Sequence, residues 1–451
     1  MTTATLTETA AALAPPLWQQ LQACAVALHA VRQGRNHSQA LALVEPRLRA
    51  AAQALLFAVL RQWGRTLAIK QLLAARSPKP VVDDLLCIGV ALALQPQDAM
   101  YPMHTLVNQL VEAAKHNPAT RPQAAFINAC IRRFGRERVA MMQATEDQLP
   151  ARWNHPQWWV KAMQKDHPQQ WQSILQSSQK AAPMSVRINQ RKTTRLALQQ
   201  TWQQLGIESE VCGEQGLVLK RAVNVQTLQG FVQGWFSVQD AGAQLAAPLL
   251  LHGLTLPATG RLRVLDACAA PGGKTAHLLE MADLDLLAID VDEGRCQRVR
   301  DNLARLQLQA TVMCADAAQP ADWWDKHRFD AILLDAPCTA SGIVRRHPDI
   351  PWLRRESDLA GLAAQQTKLL QALWPLLAAG GRLLYCTCSL FNREGVEQIQ
   401  AFLANNSDAY LLKSPGQLFP RMTVNNTSVS DNLSDEHDGF FYALLEKQKD
   451  V

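Results

Sequence analysis

Apolar residues in the first third of the chain recur every three or four positions. Leu21, Cys24, Ala25, Leu28 and Val31 fall on one face of a helix that starts near Leu17 and stops at Gly34. The same spacing predicts helices over 39–62, 82–95, 103–116 and 122–134, so residues 1–145 read as an all-helical bundle. Past Pro150 the texture changes. Trp153, Trp158, Trp159, Trp171 and frequent Gln mark a helical connector, and the stretches 185–189 and 215–219 around a helix at 192–205 predict a small α+β insert. Connector and insert together fill 146–233. In residues 234–451, short apolar strands at 262–267, 286–290, 311–314, 329–334 and 382–385 alternate with helices, one of them over 359–378. That alternation predicts a doubly wound, mostly parallel α/β sheet of Rossmann-like type. Its ligands lie outside the carboxyl ends of the strands. Residues 404–437, rich in Asn, Ser and Asp, read as a surface segment before a last strand at 439–445.

A length of 451 residues exceeds what one hydrophobic core organises, in keeping with this division into three parts. No apolar run approaches the roughly 18 residues that a membrane span needs, and residues 1–16 carry Glu8 but no basic residue, so neither anchor nor signal peptide is expected. The ten cysteines show no paired CxxC spacing and no His partners. A zinc ribbon and a disulfide scaffold are thereby disfavoured, and a metal-free monomer in the reducing cytoplasm, without a membrane partner, is expected. The net charge is +6, unevenly spread: residues 1–145 hold 15 Lys/Arg against 7 Asp/Glu, a surplus of +8. A basic bundle on a near-neutral remainder suits a phosphate-rich partner.

Candidate chemistry gathers at the predicted strand ends. Gly272-Gly273-Lys274-Thr275 has the second half of a phosphate-binding loop, but position 268, where that loop needs its first glycine, is Cys268, and no G-x-G-x-x-G is present. What remains is a strand, a glycine turn and a helix start, which suits a nucleoside cofactor over backbone N–H groups. Asp290 ends the second strand, where it can take both hydroxyls of a ribose or cap the following helix. Asp316 follows the third strand and can serve an adenine amine or its own turn. Asp335 ends the fourth after four apolar residues, a costly place for a carboxylate without a ligand. A free thiol has a pKa of about 8.5 and must be activated to act as a nucleophile. Cys24, Cys87, Cys130, Cys296, Cys314 and Cys386 fall in predicted helices or strands and read as small buried hydrophobes. Cys212 and Cys268 fall in turns. Cys338 and Cys388 differ, because each follows a strand at the catalytic edge, which suggests covalent catalysis.

Three long motifs in order resemble the RNA cytosine-C5 methyltransferases that use S-adenosyl-L-methionine. They are Asp266-Ala267-Cys268-Ala269-Ala270-Pro271-Gly272-Gly273-Lys274-Thr275, Asp335-Ala336-Pro337-Cys338-Thr339-Ala340-Ser341-Gly342 and Tyr385-Cys386-Thr387-Cys388-Ser389. Gly234-Trp235-Phe236-Ser237-Val238-Gln239-Asp240 and Asp438-Gly439-Phe440-Phe441 match as well, so the resemblance runs from about residue 150 to the end. The first third resembles the RNA-binding helical fold of the antitermination factor NusB, notably in Phe126-Ile127-Asn128-Ala129-Cys130-Ile131-Arg132-Arg133. That fusion points to the branch of the family whose substrate is a cytosine of 16S rRNA. The resemblance implies that Cys388 attacks C6 of the base, Asp335 contacts its N3 edge, and Cys338 assists proton loss and release. It also implies that Asp290 holds the ribose, Asp316 the adenine, and the backbone of Cys268, Ala269, Ala270, Pro271, Gly272, Gly273 and Lys274 the methionine portion. Spacing alone leaves the order of the two cysteines open. A tRNA-directed relative and a non-catalytic assembly factor on a methyltransferase scaffold are the alternatives. The stretch 425–437 looks longer than the family core needs.

Overall fold

Among the described residues, the helical periodicity of the first third folds as eight helices: α1 (Leu17–Arg32), α2 (His37–Ala42), α3 (Arg49–Leu60), α4 (Trp63–Leu73), α5 (Pro80–Ala93), α6 (Met103–Lys115), α7 (Ala124–Ala144) and α8 (Leu149–Trp153). The computed structural model describes residues 15–94, 100–255, 260–420 and 436–449. The chain divides into two units, Met1–Gln157 with His347–Leu353, and Trp158–Arg346 with Arg354–Val451. In the first unit the single helix expected over 39–62 is two. Asn36 caps α2 in a reciprocal box with Gln39, and Pro46, which has no N–H to donate, opens a tight turn before α3. Helix α4 escaped the apolar periodicity because its buried face is partly polar. Arg65 bonds Glu146 and Thr145 (2.8 and 3.2 Å), and Lys70 lies 3.3 Å from Asp83. Helix α5 is buried on almost all sides. The segment His347–Leu353 joins this unit through Asp349, which accepts the backbone N–H of His37 at 2.9 Å.

The second unit begins with α9 (Gln157–Asp166) and α10 (Trp171–Ser177) and a four-stranded antiparallel sheet. Its strands β1 (Met184–Ile188), β2 (Ser209–Cys212), β3 (Gly216–Leu219) and β4 (Phe236–Val238) run in the order β2-β3-β1-β4. Helix α11 (Arg195–Gln204) buries Leu198 and Trp202 against them. Strands β2 and β4 are too short and too mixed to declare themselves in sequence. Cys212, expected in a turn, is the buried last residue of β2.

The large sheet has the order β10-β11-β9-β8-β5-β6-β7. Its strands are β5 (Leu262–Ala267), β6 (Leu284–Asp290), β7 (Thr311–Cys314), β8 (Phe329–Asp335), β9 (Leu377–Thr387), β10 (Ala409–Leu418) and β11 (Phe440–Lys447). Strands β5 to β9 are parallel; β11 runs antiparallel to β9, and β10 to β11. Each parallel strand is apolar on both faces. Val264, Leu286, Leu333 and Leu384 enter one core layer, and their neighbours Leu265, Ile289, Ile332, Leu334 and Leu383 the other. The sheet's helices are α12 (Ala246–Leu251), α13 (Gly273–Met281), α14 (Glu293–Leu306), α16 (Glu356–Leu373) and α17 (Val396–Asn405); α15 (Ile350–Leu353) lies in the segment that belongs to the first unit. Residues 409–418, expected in a surface segment, form the edge strand β10. Its polar residues and a register shift between Leu412 and Gly416 hide its period, as befits an edge. Residues 421–435, most of the stretch singled out in the sequence, lie outside the described residues.

Asp266 shows how tightly the centre of this sheet is sealed. It sits at the end of β5 without exposure and takes the Thr275 hydroxyl at 2.6 Å, while its Oδ1 has no hydrogen-bond partner among the described residues. Burial therefore pushes its carboxyl up from 3.8 to about 7. A folded-state pKa above the unfolded value means that the stability Asp266 contributes is whole below the ordinary carboxylate range. It is lost as pH rises towards 7. Denaturant titrations across pH 4–8 should lose on the order of 3 kcal/mol in the parent chain through this group, and Asp266→Asn should flatten that slope.

Candidate active site

The chain order reverses between β5 and β8, and the groups singled out in the sequence collect at that carboxyl edge. After β5, Cys268 takes a left-handed conformation (φ 63°), and Gly272 (φ 93°) turns the chain into α13. Burial pushes the Cys268 thiol up to about 12, which disfavours its thiolate. The Ala270 N–H donates to Asp290 Oδ2 at 3.1 Å, which ties the loop to the end of β6. Asp290 does not cap the next helix. That role falls to Asp292, which accepts the Arg295 N–H at 2.7 Å. Asp290 is 3 % exposed, with the Arg295 guanidinium 3.3 Å away. Beyond β7, Asp316 accepts the Gln319 side-chain amide at 3.0 Å and the Ala318 N–H at 2.9 Å, and these bonds hold its carboxylate below the usual range. A glycine turn at a helix start and carboxylates beyond two neighbouring strands form a donor and acceptor set that fits an adenosine with an amino-acid tail.

Strands β8 and β9 deliver the thiols. Cys338 Sγ and Cys388 Sγ lie 3.5 Å apart. Cys338 is buried and Cys388 half-buried. The hydrogen bond to Cys388, then burial, pushes the Cys338 thiol well above its ordinary value, and Cys388 is the more open of the two sulfurs. Asp335 receives the Lys274 ammonium at 2.6 Å and the Cys386 thiol at 3.4 Å. Burial pulls the Lys274 pKa down, but the Asp335 charge, the neighbouring Cys386 and Tyr442 and the hydrogen bond to Asp335 together hold the ammonium well above its ordinary value. This cation and carboxylate beside two thiols can polarise an electron-poor ring.

Sequence placed Lys274 with the cofactor loop alone; the structure also makes it the partner of Asp335. It missed Glu394, which the structure puts beneath both cysteine loops. The one available signal was that the residues after the two cysteines, Thr339 and Ser389, both bear hydroxyls. One of the cysteines read as buried hydrophobes departs from that reading: Cys314 is exposed at the end of β7, whereas Cys386 is buried in the core with its thiol on Asp335. Gly342 explains part of another motif. A Cβ there would stand 2.1 Å from the Gly439 carbonyl oxygen, so the turn after Cys338 and Asp438-Gly439-Phe440 fit only backbone to backbone.

Comparison with known proteins agrees with this geometry. Residues 254–446 match the family described as 16S rRNA methyltransferase RsmB/F, and residues 155–226 match the ferredoxin-like domain of RsmF/B-like methyltransferases. Ribosomal RNA small subunit methyltransferase B of Vibrio cholerae is 40% identical over 412 residues, covering 90% of this chain and 91% of its own. The protein of that name from Pseudomonas syringae is 39% identical over 441 residues, covering 94% and 96%. Among solved structures, PH0851 superposes with a TM-score of 0.74 at 23% identity over 95% of this chain and 99% of its own, a likeness of fold. A methyltransferase homologue from Pyrococcus horikoshii gives 0.54 at 27% identity, covering 66% and 97%. The chain belongs to the 16S rRNA methyltransferase RsmB/F family, and it is an S-adenosyl-L-methionine-dependent RNA methyltransferase.

Proposed function

We propose that this enzyme methylates C5 of one cytosine in 16S rRNA through a covalent adduct on Cys388. The 3.5 Å spacing of the two sulfurs carries the reading, because one can attack a base while the other handles a proton at the neighbouring carbon. The bound cofactor supplies an electrophilic methyl group. Cys388 Sγ forms a bond to C6 of a cytosine drawn out of its stack, and the displaced electron pair moves to C5. Asp335, held by Lys274, binds the N3 edge so that charge does not accumulate on the ring. C5 takes the methyl group. Cys338 then assists passage of the C5 proton to solvent water, the electrons of the C5–H bond re-form the C5–C6 double bond, and Cys388 leaves as thiolate. Asp290 holds the ribose, Asp316 the adenine, and the loop from Cys268 to Lys274 the methionine part. The basic bundle, assigned to residues 1–145, holds the rRNA backbone; residues 146–233 form the connecting subdomain and 234–451 the catalytic one. Bisulfite sequencing of 16S rRNA from cells with and without this chain tests the reaction: no cytosine losing protection would overturn it.

Asp290→Asn keeps an acceptor for the Ala270 N–H but offers an amide N–H donor to one ribose hydroxyl in place of an acceptor. Calorimetry should show S-adenosylhomocysteine affinity about tenfold weaker, or about 1.4 kcal/mol, with RNA affinity unchanged. Equal cofactor affinity would limit Asp290 to holding its loop.

Arg76, Lys79, Arg132 and Arg136 are exposed on the helical unit. Replacing all four by Ala should weaken rRNA binding and flatten its salt dependence, by roughly 0.7–0.9 in log–log slope for each phosphate left unneutralised. Cofactor binding should not change. An unaltered slope would make these charges plain solvated surface.

The thiols should separate in kind. Cys388→Ala should abolish both methylation and any enzyme–RNA adduct, whereas Cys338→Ala should attack, methylate once and remain trapped as a denaturation-resistant band. The reverse pattern would move the nucleophile to Cys338.

A further inference from the structure

A single carboxylate grips the residue that follows each cysteine. Glu394, in the turn Asn392–Glu394 beyond β9, has no exposure. Its Oε1 accepts the Thr339 backbone N–H at 2.9 Å and the Gln366 side-chain amide at 3.2 Å. Its Oε2 accepts the hydroxyls of Thr339 and Ser389, each at 2.5 Å. Thr339 follows Cys338, and Ser389 follows Cys388. No cationic side chain forms an ion pair with Glu394 among the described residues, so these four donors replace its lost hydration. Burial still pushes its carboxyl above the ordinary range. The Glu394 backbone carbonyl, in turn, takes the Tyr385 hydroxyl at 2.8 Å, which anchors the clamp to β9.

We infer that Glu394 is a positioning residue for methyl transfer: by bonding the residues after Cys338 and Cys388 it sets the spacing and aim of the two sulfurs. The inference rests on the reading that these thiols share the chemistry. Glu394 itself bonds loop residues, not the sulfurs. Its effect is large because a misplacement of about 1 Å at reacting groups can cost roughly a hundredfold in rate.

Three variants of the full-length enzyme test this. Glu394→Gln keeps the length, and the two hydroxyls can turn to accept from its amide. Glu394→Asp keeps the charge but withdraws it by one methylene, out of reach of both loops at once. Glu394→Ala removes the clamp. On an rRNA transcript, kcat should stay within about threefold of the parent for Gln and fall roughly ten- to a hundredfold for Asp and Ala, with KM and S-adenosylhomocysteine affinity within about twofold. A short bifunctional thiol reagent should bridge Cys338 to Cys388 in the parent and Gln chains and far less in the Asp and Ala chains, read by mass spectrometry with Cys388→Ser as blank. If Ala does not fold, Asp against Gln carries the comparison. An Asp variant with parental kcat and cross-link yield overturns the inference, as does one whose kcat, cofactor affinity and melting point fall together. Should Cys388→Ala still methylate, the catalytic reading fails, and the cross-linking yields alone decide whether Glu394 sets the spacing.

Discussion

The site depends on the parallel register of β8 and β9. Asp335 stands opposite Cys386, and the Ala336 N–H donates to the Cys386 carbonyl at 2.9 Å. From that pairing one chain runs three residues to Cys338 and the other two residues to Cys388. Neighbouring strands lie about 4.8 Å apart, so two short loops leaving the same edge bring their side chains within reach of each other. Everything else at the site holds that coincidence in place. The Gly342 N–H binds the Cys388 carbonyl at 2.9 Å, and the Gly439 N–H binds the Gly342 carbonyl at the same distance.

Buried charge does much of this holding. Arg187 of β1 is unexposed and meets Glu280 of α13 in two bonds of 2.9 and 3.0 Å, with a third to the Gly273 carbonyl at 3.0 Å. The small sheet is thus fastened to the helix that follows the cofactor loop. A second network joins three segments far apart in sequence. Arg346 bonds Asp240 at 2.7 Å, Asp438 pairs with both Arg345 and Arg346, and the Asp438 N–H reaches Asp240 at 3.1 Å. Breaking one member of such a network leaves a buried charge uncompensated, at a cost of about 3–5 kcal/mol. That accounts physically for Gly234 to Asp240 and Asp438 to Phe441 belonging to one signature with the cysteine motifs although neither segment supplies a thiol.

The sequence by itself determined the class of each part. Helical periodicity over 17–34, 82–95 and 103–116, and two-sided apolar strands at 262–267, 286–290 and 329–334, declared their elements because each buries a regular pattern against a core. It also determined which residues stand at strand ends, since a polar residue after a buried apolar run marks the edge. Helix α4 and strand β10 stayed hidden, the first because its buried face carries Arg65 and Lys70, the second because an edge strand tolerates polar residues on both sides. The folded arrangement alone sets which of these groups become partners. It gave Asp290 the Ala270 amide and left the helix cap to Asp292, set Lys274 on Asp335, brought Cys338 to 3.5 Å from Cys388, and placed Glu394 beneath both. The pairings of Lys274 with Asp335, Cys338 with Cys388 and Glu394 with Thr339 follow from strand order and loop closure across 50 or more residues, and no local pattern encodes them.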